Sequence, residues 1–175
     1  MERPTSAPPT DIVVCLEPSA DEGPRWVVAQ AEAELVVRYG ALDTGELGLT
    51  AAMFDPPNGA FLVARAGDAR PPVGGVGLRT VAPRTGQVRR LWVDPAWRGR
   101  GVGRALMGSL EMAARELGHS DLQLSTGNRQ AEAVALYEAT GWERLHVDRE
   151  GRPLPDWHIR FAKGVASHEG GAGGS

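Results

Sequence analysis

An apolar run, Leu91-Trp92-Val93, stops at Asp94-Pro95, and the chain then carries glycine at alternate positions, Gly99, Gly101 and Gly103. A helical pattern begins at once behind them. Strand, glycine loop and helix N-terminus in this order leave backbone N–H groups pointing at whatever approaches the loop, with the positive end of the helix dipole behind them. Residues 93–104 therefore read as a cradle for the pyrophosphate of a nucleotide-type cofactor. Arg89, Arg90, Arg98, Arg100 and Arg104 cluster in and just before this stretch. Their charge is local and suits a small anion.

The pattern on either side predicts a mixed α/β domain. Residues 11–16 form a β-branched first strand. Residues 25–39 repeat apolar side chains at Val27, Val28, Ala31 and Leu35, a helical spacing, with Gly40 as its stop. A helical turn near residues 49–53 precedes the turn signal Asp55-Pro56-Pro57-Asn58-Gly59. Residues 61–64 and 73–81 read as a hairpin, and residues 87–93 as the strand feeding the loop, with Gln87, Arg89, Leu91 and Val93 on one face. Helix 101–117 carries the apolar stripe Val102, Ala105, Leu106, Leu110, Ala113 and Leu117, ended by Gly118. A strand at 121–125, a turn at 126–128, a helix at 130–140, a strand at 142–147, a loop at 150–155 and a last strand at 157–162 complete the chain. Only the connection through helix 101–117 is a crossover, so one strand pair is parallel and the rest antiparallel.

At 175 residues the chain suffices for one domain with a core. The expected boundaries are a disordered lead at 1–11, the domain at 12–163 and a flexible Gly-rich tail at 164–175. A net charge of -3 excludes a general nucleic-acid binder. No apolar stretch is long enough for a membrane span. Cys15 is the one cysteine, so no intramolecular disulfide forms, and a cytoplasmic location is expected. His119, His158 and His168 show no metal-ligand spacing, and no metal is expected. Trp92 and Trp142 are expected in the core, and Trp97 either against the cofactor or capping the sheet.

Three phosphate-loop types compete for residues 98–104. A P-loop needs Gly-Lys-Ser/Thr at the helix start, where this chain has Gly103-Arg104-Ala105. A dinucleotide fingerprint needs G-x-G-x-x-G. The spacing here is G-x-G-x-G, which disfavours a Rossmann-type oxidoreductase. Arg98-Gly99-Arg100-Gly101-Val102-Gly103 instead resembles the R/Q-x-x-G-x-G/A signature of the GNAT acetyltransferase superfamily, with Arg98, Gly101 and Gly103 at the signature positions. Residues 91–95 resemble that family's fourth strand and its exit, and Ala135-Leu136-Tyr137-Glu138-Ala139-Thr140-Gly141-Trp142 resembles its L-Y-x-x-x-G-F/Y/W segment. The resemblance covers roughly residues 12–163.

The resemblance implies a single GNAT-like domain, with a mostly antiparallel mixed sheet and helices on both faces. It implies an N-acetyltransferase that moves an acetyl group from acetyl-CoA, its co-substrate, directly to an amine through a tetrahedral intermediate. By the resemblance, the pyrophosphate rests on backbone N–H groups of Arg98, Gly99, Arg100, Gly101, Val102, Gly103 and Arg104, with charge from Arg100 and Arg104. Leu91, Trp92 and Val93 hold the pantetheine arm and acetyl carbonyl through their backbones. Tyr137 matches the general acid toward the departing thiolate. Gln130 stands where many relatives place a cofactor-contacting Asn. Gln87 stands where many place a Glu as general base, and a neutral amide cannot accept an ammonium proton. Glu34, Asp43 and His146 are the substitutes considered, beside an amine that arrives neutral.

Acceptor selection is expected from residues 35–58 and 149–155, for a small-molecule or amino-acid-like primary amine. The superfamily also makes a homodimer an expectation. The competing reading is a non-catalytic acyl-CoA-binding sensor or regulatory domain that kept the loop and lost the base.

Overall fold

The structure is a computed structural model describing residues 11–41, 48–67 and 71–166. Asp43 and His168 lie outside the described residues. Seven strands, β1 (Ile12–Leu16), β2 (Gly59–Ala66), β3 (Gly74–Ala82), β4 (Thr85–Val93), β5 (Asp121–Gly127), β6 (Glu143–Leu145) and β7 (His158–Gly164), join α1 (Glu22–Tyr39), α2 (Val102–Glu116) and α3 (Ala131–Ala139). They form one sheet in the order β1-β2-β3-β4-β5-β7-β6. Only β4 and β5, joined through α2, are parallel, as the crossover argument requires. β7 continues to Gly164, and Val165 is buried behind it.

Alternation along the strands divides the core in two. Leu62, Val76, Leu78, Val88, Leu122 and Phe161 face α2 and α3, meeting Leu106, Leu110 and Tyr137. Phe61, Val63 and Trp92 face the other side, meeting Val27 and Ala31 of α1 and Phe54 of a short 3-10 turn (Ala51–Phe54). The glycines of β3 belong to this packing: a Cβ on Gly75 would lie 2.9 Å from the Val27 methyls, and one on Gly77 would lie 2.7 Å from the Phe54 ring. A sequence that looks weak as a strand is one because other elements sit directly on its backbone.

Three expectations change. Gln87, Arg89, Leu91 and Val93 do not share a face. Gly77 pairs with Arg89 but Gly75 pairs with Trp92, so Arg90 and Leu91 together oppose one residue of β3, and Arg90 has φ of 58°. This bulge inverts the alternation. Leu91 and Val93 then join Val88 against the α2 core, while Trp92 packs beneath α1. Residues 126 and 127, expected in a turn, belong to β5. The strand expected at 142–147 is only β6, followed by an isolated bridge between Val147 and Pro153.

His119, just past α2, is 3% exposed, with Nε2 3.3 Å from Thr80 Oγ1 and Nδ1 without a partner among the described residues. Burial lowers its pKa, so the fold holds it neutral below the pH at which an unfolded histidine, at about 6.5, takes a proton. The stability difference is absent above that pH and grows as pH falls through it. The expected result is a lower Tm at pH 5.5 than at pH 7.5, with a shallower decline in His119→Gln, checked by thermal melts across that range.

Candidate active site

Parallel pairing between β4 and β5 covers only Thr85 to Gln87 against Asp121 to Gln123. Beyond it, β4 bends at its bulge and no residue from Val88 to Val93 pairs with β5. The strands part, leaving backbone N–H and C=O groups facing a gap. A cavity of about 790 Å³ fills it, walled by both diverging strands, the inner side of α1, the glycine loop and the start of α3. This size suits a cofactor arm with a small acceptor. Leu91, Trp92 and Val93 line it from β4.

The loop closing the cavity is built from specific contacts. Asp94 Oδ1 accepts from Ala96 N at 2.8 Å and starts a single 3-10 turn, Pro95–Trp97. Arg98 donates from Nε to Val93 O at 3.0 Å and from Nη2 to both oxygens of Glu34, at 2.8 and 2.7 Å. Gly99 and Gly101 take φ of 74° and 85°, and Gly101 caps α2 with no side chain bonded to the helix end. First-turn N–H groups of a helix have no acceptor within it. Those of α2 begin at the cavity wall, where Gly99, Gly101, Val102, Gly103 and Arg104 are lining residues. A Cβ on Gly99 or Gly101 would meet nothing within 4 Å. The loop is thus an open concavity of N–H donors, and it fits a pyrophosphate.

Three loop residues make contacts that the spacing alone does not announce. The Arg98 guanidinium is committed to Glu34 and Val93. Arg100 turns away from the cavity wall and stacks on Trp97, with Cζ 5.1 Å from the ring centroid. A Cβ on Gly103 would lie 2.9 Å from a Leu136 methyl, so this glycine also lets α2 and α3 meet. Trp97 both lines the cavity and packs on the α2 core.

Tyr137, on α3, reaches the cavity from the α2 side of the sheet. It is 5% exposed and packs against Trp142 and Phe161, with ring centroids 5.9 and 5.5 Å away. Burial pushes its phenol above the ordinary tyrosine value, so it keeps its proton at neutral pH. Gln130 lines the cavity as the N-cap residue of α3.

The family model described as "Acetyltransferase (GNAT) family" matches residues 21–142. The chain belongs to the GNAT family. An IAA acetyltransferase of Azospirillum brasilense is 38% identical over 86 residues, 49% of this chain and 56% of that protein. The chain spans about half or less of the length of the curated relatives it matches. Among solved structures, a GNAT-family acetyltransferase of Staphylococcus aureus aligns with a TM-score of 0.69 at 15% identity, covering 89% of this chain and 100% of that one. One from Elizabethkingia anophelis with acetyl-CoA bound aligns at 0.62 and 14% identity, covering 88% and 98%. At these identities the likeness is one of fold.

Within this GNAT chain the residues weighed as a base fare unequally. Gln87 accepts from Arg79 Nε at 2.8 Å and does not line the cavity. Glu34 does line it, but Arg98 occupies both oxygens and Arg38 Nη2 adds a contact at 2.5 Å. Arg38 and Arg98 extend this cluster to Glu132. Burial works to raise the Glu132 pKa, but the Arg38 hydrogen bond and both guanidinium charges hold it below the ordinary value. His146 is exposed and outside the cavity, beyond β6 at the far edge of the sheet.

Acceptor-side expectations shift as well. Leu35, Tyr39 and Ala41 line the cavity, but no residue from 149 to 155 does. Asp148 folds that loop onto itself, accepting from Glu150 N, Arg152 N and Arg152 Nε. The residues that do reach the cavity from this side are Trp157 and His158 at the start of β7. Sequence reading passed over them, because β7 inserts between β5 and β6 and no local spacing reports that.

Proposed function

We propose that this protein is an acetyl-CoA-dependent N-acetyltransferase acting on the primary amine of a small or amino-acid-like acceptor. The observation that carries the reading is the meeting of three features in one cavity: unpaired β4 backbone, an uncapped helix start behind two positive-φ glycines, and a buried protonated tyrosine. In this reading the loop backbone from Arg98 to Arg104 holds the pyrophosphate, helped by Arg104. Leu91, Trp92 and Val93 offer main-chain groups to the pantetheine amide and acetyl carbonyl, and Gln130 contacts the co-substrate at the start of α3. Acetyl-CoA supplies the activated acyl group. The amine attacks its thioester carbonyl directly, and Tyr137 donates to sulfur as the tetrahedral intermediate collapses.

A second reading, a non-catalytic acyl-CoA-binding domain, is favoured by Gln87, which is neutral and held outside the cavity by Arg79. Thiol release from acetyl-CoA across a broad panel of primary amines separates the two. Turnover of an amine is the expected result. Micromolar or tighter acetyl-CoA binding with no turnover across the panel would establish the second reading instead.

A further inference from the structure

Among the described residues lining the cavity, the carboxylate and imidazole side chains able to accept a proton are Glu34, Glu132 and His158. Both carboxylates are engaged by guanidinium groups. His158 is different. Its backbone N–H is bonded to Pro155 O at 3.0 Å and its ring packs edge-on to Trp157 with centroids 5.5 Å apart. Neither ring nitrogen has a hydrogen-bond partner among the described residues. The side chain is half-buried, anchored and open to the cavity.

Register fixes the side of the sheet on which it stands. His158 is directly opposite Gly127 of β5, and directly opposed residues share a face. A Cβ on Gly127 would run into the Tyr39 hydroxyl of α1, so that face is the α1 face. Tyr137 lies on the other face, against Phe161. The gap between β4 and β5 is therefore flanked by a protonated phenol on one side and an imidazole on the other. A reaction that loses a proton from nitrogen and delivers one to sulfur needs groups so divided.

We infer that His158 is the general base of this site, a role that rests on the acetyltransferase reading above. The amine lone pair forms the new C–N bond at the thioester carbonyl as His158 takes the N–H proton. The C–S bond then breaks, its electron pair goes to sulfur, and the Tyr137 proton follows it. Proton return from the His158 imidazolium to the Tyr137 phenolate through solvent restores both groups, leaving amide and CoA thiol. The exposed Trp157 beside it, 63% accessible, gives the acceptor a flat apolar wall next to the base.

The charged and titratable groups that line the same cavity are Glu34 and Tyr39 of α1, Arg89 and Arg90 of β4, Arg98 and Arg104 of the glycine loop, and Arg129, Glu132 and Tyr137 at and before α3, while Asp156 and Arg160 lie two residues either side of His158 in the chain. Arg38 and Arg129 exchange guanidinium-to-carbonyl hydrogen bonds, and the Arg129 guanidinium lies 5.9 Å from the Tyr39 ring centroid. These ties keep α1 and the β5–α3 loop in place when His158 is changed.

The test is steady-state acetylation by the full chain, with the best amine of the panel, across pH. In His158→Gln we expect kcat/KM for the amine to fall by about 10²-fold, the acidic limb of its pH profile to vanish, and the Kd for acetyl-CoA to stay within about twofold. In His158→Ala, added imidazole should restore part of the rate. A variant that keeps the wild-type rate and acidic limb overturns the assignment while leaving the acetyltransferase reading intact. So does a rate loss matched by weakened acetyl-CoA binding and untouched by imidazole, which marks a structural role. Wild-type protein that turns over no amine overturns both.

Discussion

Tyr137→Phe is expected to lower kcat by on the order of 10²-fold or more while leaving the fold and the acetyl-CoA Kd nearly unchanged. The substitution removes one oxygen from a ring that is 5% exposed and wedged between Trp142 and Phe161. Those contacts are made by the ring and survive. What disappears is a proton donor whose pKa burial has raised, so that in the wild type it is protonated when the thiolate forms. A thiolate's own conjugate acid has a reference pKa of about 8.5. The phenol is the weaker acid of the two, so it stays protonated until charge builds on sulfur, shares its proton there only as the C–S bond breaks, and is reprotonated at once because its phenolate is the stronger base. Single-turnover rates, acetyl-CoA titration and a thermal melt on the same preparation separate the effects. An unchanged kcat would reduce Tyr137 to a packing residue of α3. A fall in Tm by many degrees would mean the hydroxyl serves the core.

Helix α2 was legible because its apolar stripe and Gly118 are local signals; the structure only turns the stripe slightly, so that Met107 and Ala114 are buried beside Leu106 and Leu110. The crossover it makes fixes the single parallel pair, and the spacing of the loop glycines locates the turn that lines the cavity. The bulge in β4 was not legible. It needs a positive φ at Arg90, and arginine advertises no such conformation. That one irregular residue inverts the faces of Leu91 and Val93 and helps part β4 from β5, so the sequence pattern misplaced the side chains at the floor of the site while still locating the strand. The Arg98–Glu34 pair joins residues 64 apart in the chain, and that distance in sequence hid the role of the Arg98 guanidinium as a brace between the loop and α1. His158 was hidden for a topological reason: a strand inserted between two earlier neighbours puts its first residues at a cavity whose other walls are far away in sequence.

Gly101→Val is expected to raise the acetyl-CoA Kd by about 100-fold or more and to leave the folded core in place. Crowding in the free protein is not the cause, since a Cβ at Gly101 meets nothing within 4 Å. The cause is the backbone. Gly101 has φ of 85° and ψ of 5° at the cap of α2, a region that costs an ordinary L-residue roughly 1–2 kcal/mol and a β-branched one more. Relief of that strain rotates the peptide units at the helix start, which are the N–H donors of the proposed pyrophosphate site. Any Cβ that does stay in place projects into the open space the phosphate would fill. The sheet should tolerate the change because Gly101 is exposed and belongs to neither core cluster. Gly108→Ala is the matched control: Gly108 lies within α2, is exposed and also has nothing near its Cβ position, but its backbone is helical. That control should bind acetyl-CoA as the wild type does, and gain up to about 1 kcal/mol from helix propensity. Isothermal titration and far-ultraviolet circular dichroism on the pair decide the matter. Wild-type affinity in Gly101→Val would place the pyrophosphate elsewhere than on the α2 N-terminus. Equal losses in both variants would trace the effect to α2 as a whole and not to its cap.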